Sequence, residues 1–346
     1  MSTLFTGISE LRTVSERGTL NDAAIIAQSG TIAWVGPASE APAADEKVDL
    51  GGRAVLPGWV DSHTHMVFDG DRSAEFEARI SGGSYEAGGI AVTMDATRQA
   101  GTDRLDKLVA DRVAAGRRGG TTTFETKTGY GLNTESEVEA AKVASRHVDD
   151  VTFLGAHLVP PGADAEEYLD EVVGPMLEGV APYVQWIDVF CERGAFNEEQ
   201  SRRVLEAGKK LGLGLRVHGN QLGEGPGVAL AVELGAASVD HVNHLSDEDV
   251  ELLANSDTVA TMLPACDLST REPLAPGRTL LDAGATLAIA SNLNPGTSYT
   301  SSMNYCVTTA VLQQHLSVDE AIHAATTGGA TALRRHNVDR KSTRLN

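Results

Sequence analysis

The feature that most constrains this chain is a strand-then-helix alternation repeated eight times after about residue 54. Apolar runs fall at 54–65, 121–128, 151–159, 183–192, 214–222, 238–245, 258–266 and 285–292. Each is apolar nearly throughout, as strands buried on both faces should be. Helical patterning separates most of them, for example at 135–146, 166–177, 198–211 and 227–234. Eight β-then-α units predict an α/β fold whose parallel sheet closes into a (β/α)8 TIM-like barrel. An open doubly wound sheet is the alternative, but no GxGxxG follows the first strand. The 346 residues suit one barrel of roughly 250 residues with a small appendage.

Residues 1–54 read as that appendage, a small β-domain of short strands and turns. The run 23–36 (AAIIAQSGTIAWVG) has two apolar halves broken at Ser29-Gly30, a hairpin signal, and a second strand-rich run covers 48–57. The barrel is expected over 55–338. The residues 339–346 lack an apolar period and are expected to be disordered.

A net charge of -20 argues against nucleic acid as a partner, since phosphate binding needs clustered Lys and Arg. No apolar run reaches the ~20 residues that span a bilayer, so no membrane partner is expected. The N-terminal MSTLFTGISELRTVSERG has no apolar core of a signal peptide. Cys191, Cys266 and Cys306 lie far apart with no CxxC pair and read as buried, reduced thiols. A cytoplasmic location is the resulting expectation.

Barrel enzymes carry their chemistry at the C-terminal ends of the strands. The first strand ends in Asp61-Ser62-His63-Thr64-His65, and period-two alternation puts both imidazoles on one face. Two convergent imidazoles are a grip for a divalent metal. The fifth strand ends in Val217-His218-Gly219-Asn220-Gln221, the sixth in Asp240-His241 and the eighth in Ser291-Asn292-Leu293-Asn294. A lone HxH is weak, because a core histidine is commoner than a ligand. Histidines ending three strands at one rim are a much stronger joint signal.

PGWVDSHTH resembles the opening of the amidohydrolase superfamily. The segments MVFDGDRSAEFEAR, KTGYGL, FLGAHLVPP, HGNQL, DHVNHL, ATMLPA and NPGTS resemble, in order, those of the imidazolonepropionase family over about residues 20–338. The resemblance implies hydrolysis of 4-imidazolone-5-propanoate to N-formimidoyl-L-glutamate in histidine breakdown, with a small-molecule substrate and a homodimer. It also implies one zinc or iron ion held by His63, His65 and His218, with Asn292 as a further ligand. Binuclear relatives use a lysine at the end of strand four, and here Trp186-Ile187-Asp188-Val189 runs on to Glu192 without one. His241 matches a histidine near the metal that orients water or steadies an oxyanion. Arg72 matches the position that binds the substrate, whose propionate tail needs a cation. Tyr130, His157, Gln221, Asn294, Gly296 and Thr297 match further substrate contacts. Singly, Arg72 would read as a solvated charge and Tyr130 or Gly296 as turn residues.

Two departures stand out. Superfamily members usually end strand eight with Asp, a ligand and proton acceptor, where this chain has Asn292. An amide oxygen is neutral and no general base at neutral pH. The resemblance also fades near Val338, whereas family members continue for some tens of residues. The competing expectations are therefore another cyclic amidohydrolase or deaminase, and a catalytically impaired metal-binding homologue.

Overall fold

The computed structural model describes residues 1–81 and 89–335. The expected disordered tail 339–346 and the end of the expected barrel, 336–338, lie outside the described residues. The chain forms two compact units, Met1–Trp59 with Arg334 and Arg335, and Val60–Leu333.

The first unit is built on a four-stranded sheet of β1 (Ser2–Arg12), β2 (Thr19–Gln28), β3 (Thr31–Pro37) and β4 (Glu46–Val55), in the order β3-β2-β1-β4. The expected hairpin is β2–β3, antiparallel and turned at Ser29-Gly30, both with positive φ as a tight turn requires. β4 pairs parallel with β1 and carries Ala54 and Val55 into this sheet. The first barrel strand therefore starts at Trp59, not at Ala54 as the unbroken apolar run suggests. Ile8, Leu11, Ala23 and Ile25 form the small core, joined by Phe5, Leu20, Ile32, Val35, Leu50 and Val55.

The second unit is the expected barrel. Its strands are β5 (Trp59–Asp61), β6 (Thr121–Lys127), β7 (Asp150–Ala156), β8 (Trp186–Cys191), β9 (Gly214–Gly219), β10 (Ser238–His241), β11 (Val259–Met262) and β12 (Leu287–Ile289), neighbouring in chain order. The pairings from β6 to β12 are all parallel. Strands β7, β8, β10 and β11 are buried along their whole length, as strands covered on both faces are.

β5 and β12 are the shortest strands of the barrel, and polar groups join them. The Asp61 carboxyl accepts Ser291 N–H (2.9 Å) and Ser291 Oγ–H (2.6 Å). Beyond the strand ends, Asn292 N–H donates to His63 O (3.0 Å) and His65 N–H to Leu293 O (2.8 Å). On the other side Lys127 N–H donates to Thr64 O (2.8 Å). The HxH segment thus stays laddered to both neighbours although it is no longer regular strand.

The outer helices start where capping chemistry dictates. Asn197 and Gln200 form a capping box on Glu198–Lys210, and Ser246 with Asp249 does so on Asp247–Ala254. The expected helix 166–177 is interrupted: Ala165–Glu171 gives way to a wide turn at Val172–Met176, because Pro175 lacks the amide hydrogen an α-helix needs. Among the described residues no helix is long and apolar enough to cross a membrane.

The wide turn Ala324–Gly328 presses directly on β12. A Cβ at Gly328 would lie 2.0 Å from Leu287 O, whereas one at Gly225 would meet nothing within 4 Å. Gly328→Ala should therefore lower the unfolding free energy by about 1–3 kcal/mol in urea titration. Gly225→Ala should change it by less than about 0.5 kcal/mol. Equal effects of the two would contradict this packing.

Candidate metal centre

The end of β9 and the segment after β5 bring three imidazoles together. His65 Nε2 lies 3.3 Å from His63 Nε2 and 3.5 Å from His218 Nε2. Two nitrogens bound to one tetrahedral ion at ~2.0–2.1 Å stand about 3.3–3.4 Å apart, so the spacing suits a shared cation. All three rings are buried.

The partners of the other ring nitrogens set which atom faces the cluster. His63 Nδ1 sits 2.7 Å from Asp240 Oδ2, and His218 Nδ1 sits 3.1 Å from Asp188 Oδ1. A carboxylate only accepts, so both Nδ1 atoms carry the hydrogen and both Nε2 lone pairs point at the cluster. His65 Nδ1 has no hydrogen-bond partner. Burial holds His63 and His65 well below the usual histidine range, as neutral ligands must be.

Beneath the imidazoles lies a layer of buried charge. Lys127 Nζ reaches Asp188 Oδ2 (2.9 Å), Glu125 Oε1 (3.1 Å) and Asp240 Oδ2 (3.8 Å), and all four side chains are solvent-inaccessible. Arg216 Nη2 donates to the same Asp240 oxygen (3.1 Å) and to Ser62 O (2.8 Å). Burial would raise Asp240, but Arg216, His63 and Lys127 hold it well below the usual carboxylate range. Burial likewise opposes the ionisation of Asp188, and His218 and Lys127 outweigh it. Strand four does lack a lysine, yet a lysine enters this layer from β6. None of these five was singled out from the sequence. Their signal was there: Glu125 and Lys127, and Arg216 and His218, repeat at the period-two spacing of one strand face.

Above the cluster opens a pocket with about 500 Å³ of space, part of it open to solvent. It is lined by His65, His218, His241, Gln221, Asn292, Arg72, Tyr130, His157, Asn294 and Thr297. Every residue expected at the site borders it except two. His63 lies behind the others, fully buried. Gly296 backs Arg72: a Cβ there would come within 2.4 Å of the guanidinium carbon. Its carbonyl accepts from buried Arg79 Nη2 (2.7 Å). Arg72 itself donates from Nε (2.8 Å) and Nη2 (2.7 Å) to Glu75. Ile90, Leu158 and Phe190 complete the lining; Leu158 lies in FLGAHLVPP without having been marked as a contact, and Ile90 and Phe190 carry no motif.

His157 Nδ1 lies 2.9 Å from Gly129 O, so Nδ1 is the donor and Nε2 is left as an acceptor. Burial pushes His157 down to about 4. Gln221 is held by its backbone N–H donating to Glu192, while its Nε2 approaches Cys266 Sγ at 3.9 Å. Asn292 Oδ1 and His241 Nδ1 are buried without hydrogen-bond partners. Positive φ at Asn220 (57°), His241 (87°), Val242 (52°) and Asn292 (51°) marks local backbone strain along this rim.

Lys127→Met would keep the volume and leave Asp188 and Asp240 short of a buried cation. It should cost about 3–5 kcal/mol of unfolding free energy by denaturant titration. A loss under about 1 kcal/mol would mean the layer does not depend on the ammonium.

No family model matches the chain. It is 66% identical to an imidazolonepropionase from an Arthrobacter species, over 97% of this chain and 86% of that protein. A triazine hydrolase from Arthrobacter aurescens superposes with a TM-score of 0.75 at 18% identity, covering 99% of this chain and 84% of that one. An adenosine deaminase from Xanthomonas campestris, with bound zinc, superposes at 0.70 and 18% identity, covering 99% and 83%. The two structures share the barrel architecture, and the sequence relative goes further: this chain belongs to the imidazolonepropionase family, hydrolases that open the carbon–nitrogen bond of a cyclic amide.

Proposed function

We propose that the pocket over His63, His65 and His218 is where this chain hydrolyses 4-imidazolone-5-propanoate to N-formimidoyl-L-glutamate. The observation that carries the assignment is the convergence of three imidazole nitrogens at tetrahedral spacing on the floor of a pocket whose wall holds a buried arginine. Three imidazoles suit one zinc or iron ion per chain, and the orphaned Oδ1 of Asn292 is available as a further, uncharged donor. Such an ion supplies Lewis acidity that activates water and polarises a carbonyl.

The chain's own residues do the rest. Arg72 binds the propionate, a charge-assisted contact worth about 1.5–3 kcal/mol. Tyr130 and the Nε2 acceptor of His157 flank the ring. Gln221 orients it by hydrogen bonding; as an amide it cannot shuttle a proton, which weighs against deamination. Asn294 and Thr297 contact the product end, and Gly296 leaves room for Arg72. In the reaction the water oxygen bonds to the ring carbonyl carbon, the C–N bond breaks, and one proton of the water ends on the leaving nitrogen. Burial holds His241 well below the usual histidine range, so its ring is neutral and has a lone pair to accept that proton. Asn292 cannot do this, and His241 stands in for the usual carboxylate.

The test is hydrolysis of freshly generated imidazolonepropionate by the purified chain, with zinc or iron added and then chelated. Formimidoylglutamate should form with metal and cease on chelation; no turnover with one metal bound per chain would refute the reading. Arg72→Ala and Gly296→Ala should both raise KM, the first by roughly 10–100-fold, with kcat changing less. A fall confined to kcat would remove Arg72 from carboxylate binding.

A further inference from the structure

A second cluster of metal-binding side chains stands beside the first. One ring nitrogen of His241, Cys266 Sγ and a carboxyl oxygen of Asp267 all lie within 4.8 Å of one another, and all three residues are buried. Their setting is unusual for buried polar groups. Neither carboxyl oxygen of Asp267 has a hydrogen-bond partner, although the residue is 1% exposed. Asn243, whose amide nitrogen donates to Pro273 O (2.7 Å), and the backbone of Ala275 stand near the carboxyl without reaching ordinary hydrogen-bond geometry. His241 Nδ1 is unpartnered as well. A buried carboxyl without a hydrogen bond of ordinary geometry is costly, and a cation resolves that cost.

We propose that His241, Cys266 and Asp267 form a second divalent-cation site, selective for thiophilic ions such as zinc, cobalt or cadmium, which excess metal fills at the expense of turnover. Imidazole, thiolate and carboxylate together neutralise a divalent ion and supply three of four tetrahedral positions. The thiol proton leaves as the metal enters, because only the thiolate is a ligand. Calcium and magnesium, which want six or more oxygens, are excluded by the donor set.

The two sites are linked through side chains already named. The His241 ring centroid is 5.4 Å from that of His218. Cys266 Sγ is the contact of Gln221 Nε2. A metal at the second site engages His241 and draws on the sulfur that steadies Gln221. This inhibitory consequence rests on the proposed role of His241; the existence of the site does not. Cys266 is then a ligand in waiting rather than the inert buried thiol its isolation in the sequence suggests.

The experiment is cobalt(II) titration of the full, metal-stripped chain, reading bound cobalt per chain, the near-ultraviolet thiolate-to-cobalt absorption, and turnover in parallel. The expected result is two equivalents. The first arrives without thiolate absorption and with activity; the second brings the absorption and loses activity. Cys266→Ser should bind one equivalent tightly, show no thiolate band, and need roughly tenfold or more metal for inhibition. Asp267→Asn should weaken the second equivalent similarly, and serves if the serine variant does not fold. Cys191→Ser and Cys306→Ser should keep the band. One equivalent only in the wild type, or a band surviving in Cys266→Ser, overturns the proposal. If the three-histidine reading is what fails, the band-free first equivalent disappears while the thiolate-bearing one remains.

Discussion

The site depends on one buried ammonium. Lys127 lies among Glu125, Asp188 and Asp240 in the barrel interior, where an unpaired carboxylate would take up a proton. With Lys127 and Arg216 in place, Asp188 and Asp240 stay charged and each fixes the Nδ1–H of one histidine. That in turn aims two Nε2 lone pairs at one point. Remove the ammonium and both carboxylates lose part of what keeps them charged, so the tautomers are less firmly specified. The charge layer is therefore what turns a set of strand-end histidines into a single oriented site.

Much of this was legible in the sequence, for definite reasons. The barrel was visible because strands buried on both faces leave largely apolar runs, as in β8 and β11. His63, His65, His218 and His241 stood out because strand-end histidines are rare and fell at equivalent places in the repeat. What stayed hidden is what depends on long-range pairing. Apolar content cannot say whether Ala54 and Val55 join the small sheet or the barrel, and pairing with Leu11 in β1 decides it. β12 is short because Ser291 turns to meet Asp61, 230 residues away in sequence. Lys127 and Asp188 read as ordinary strand residues, since nothing local marks two opposite charges on different strands as partners.

The rim shows a second regularity. The backbone at Asn220, His241, Val242 and Asn292 enters the left-handed region where each strand hands over to its loop. A strand that continued in the extended conformation would send its next side chain outward. The turn redirects it over the barrel mouth, and the neighbouring ladder holds it there: Val242 N–H donates to Gly219 O (3.2 Å) and His244 N–H to Asn220 O (2.9 Å). The strain is local and the hydrogen bonds that offset it come from the adjacent strand end. Asparagine tolerates this conformation better than most side chains, which gives Asn292 a conformational reason for its place apart from any ligand role.

The recognition end of the pocket follows a different logic from its floor. Arg72 and Arg79 approach the same loop, one stacked on the bare Cα of Gly296 and the other donating to its carbonyl. Two guanidinium groups this close would repel, and Glu75 stands between them, 2.7 Å from Arg72 Nη2 and 4.0 Å from Arg79 Nη1. The pair is thus partly neutralised before any substrate arrives. A substrate carboxylate that engages Arg72 does not meet a bare charge; it joins an arrangement in which one anion already serves two cations. Affinity from such a contact is modest, but its direction is fixed, because the planar guanidinium is held on one side by Glu75 and on another by Gly296. The floor therefore supplies reactivity through charge held rigidly out of water. On the function proposed above, the wall supplies orientation through a cation whose position, more than its strength, decides which end of a small acid reaches the histidines.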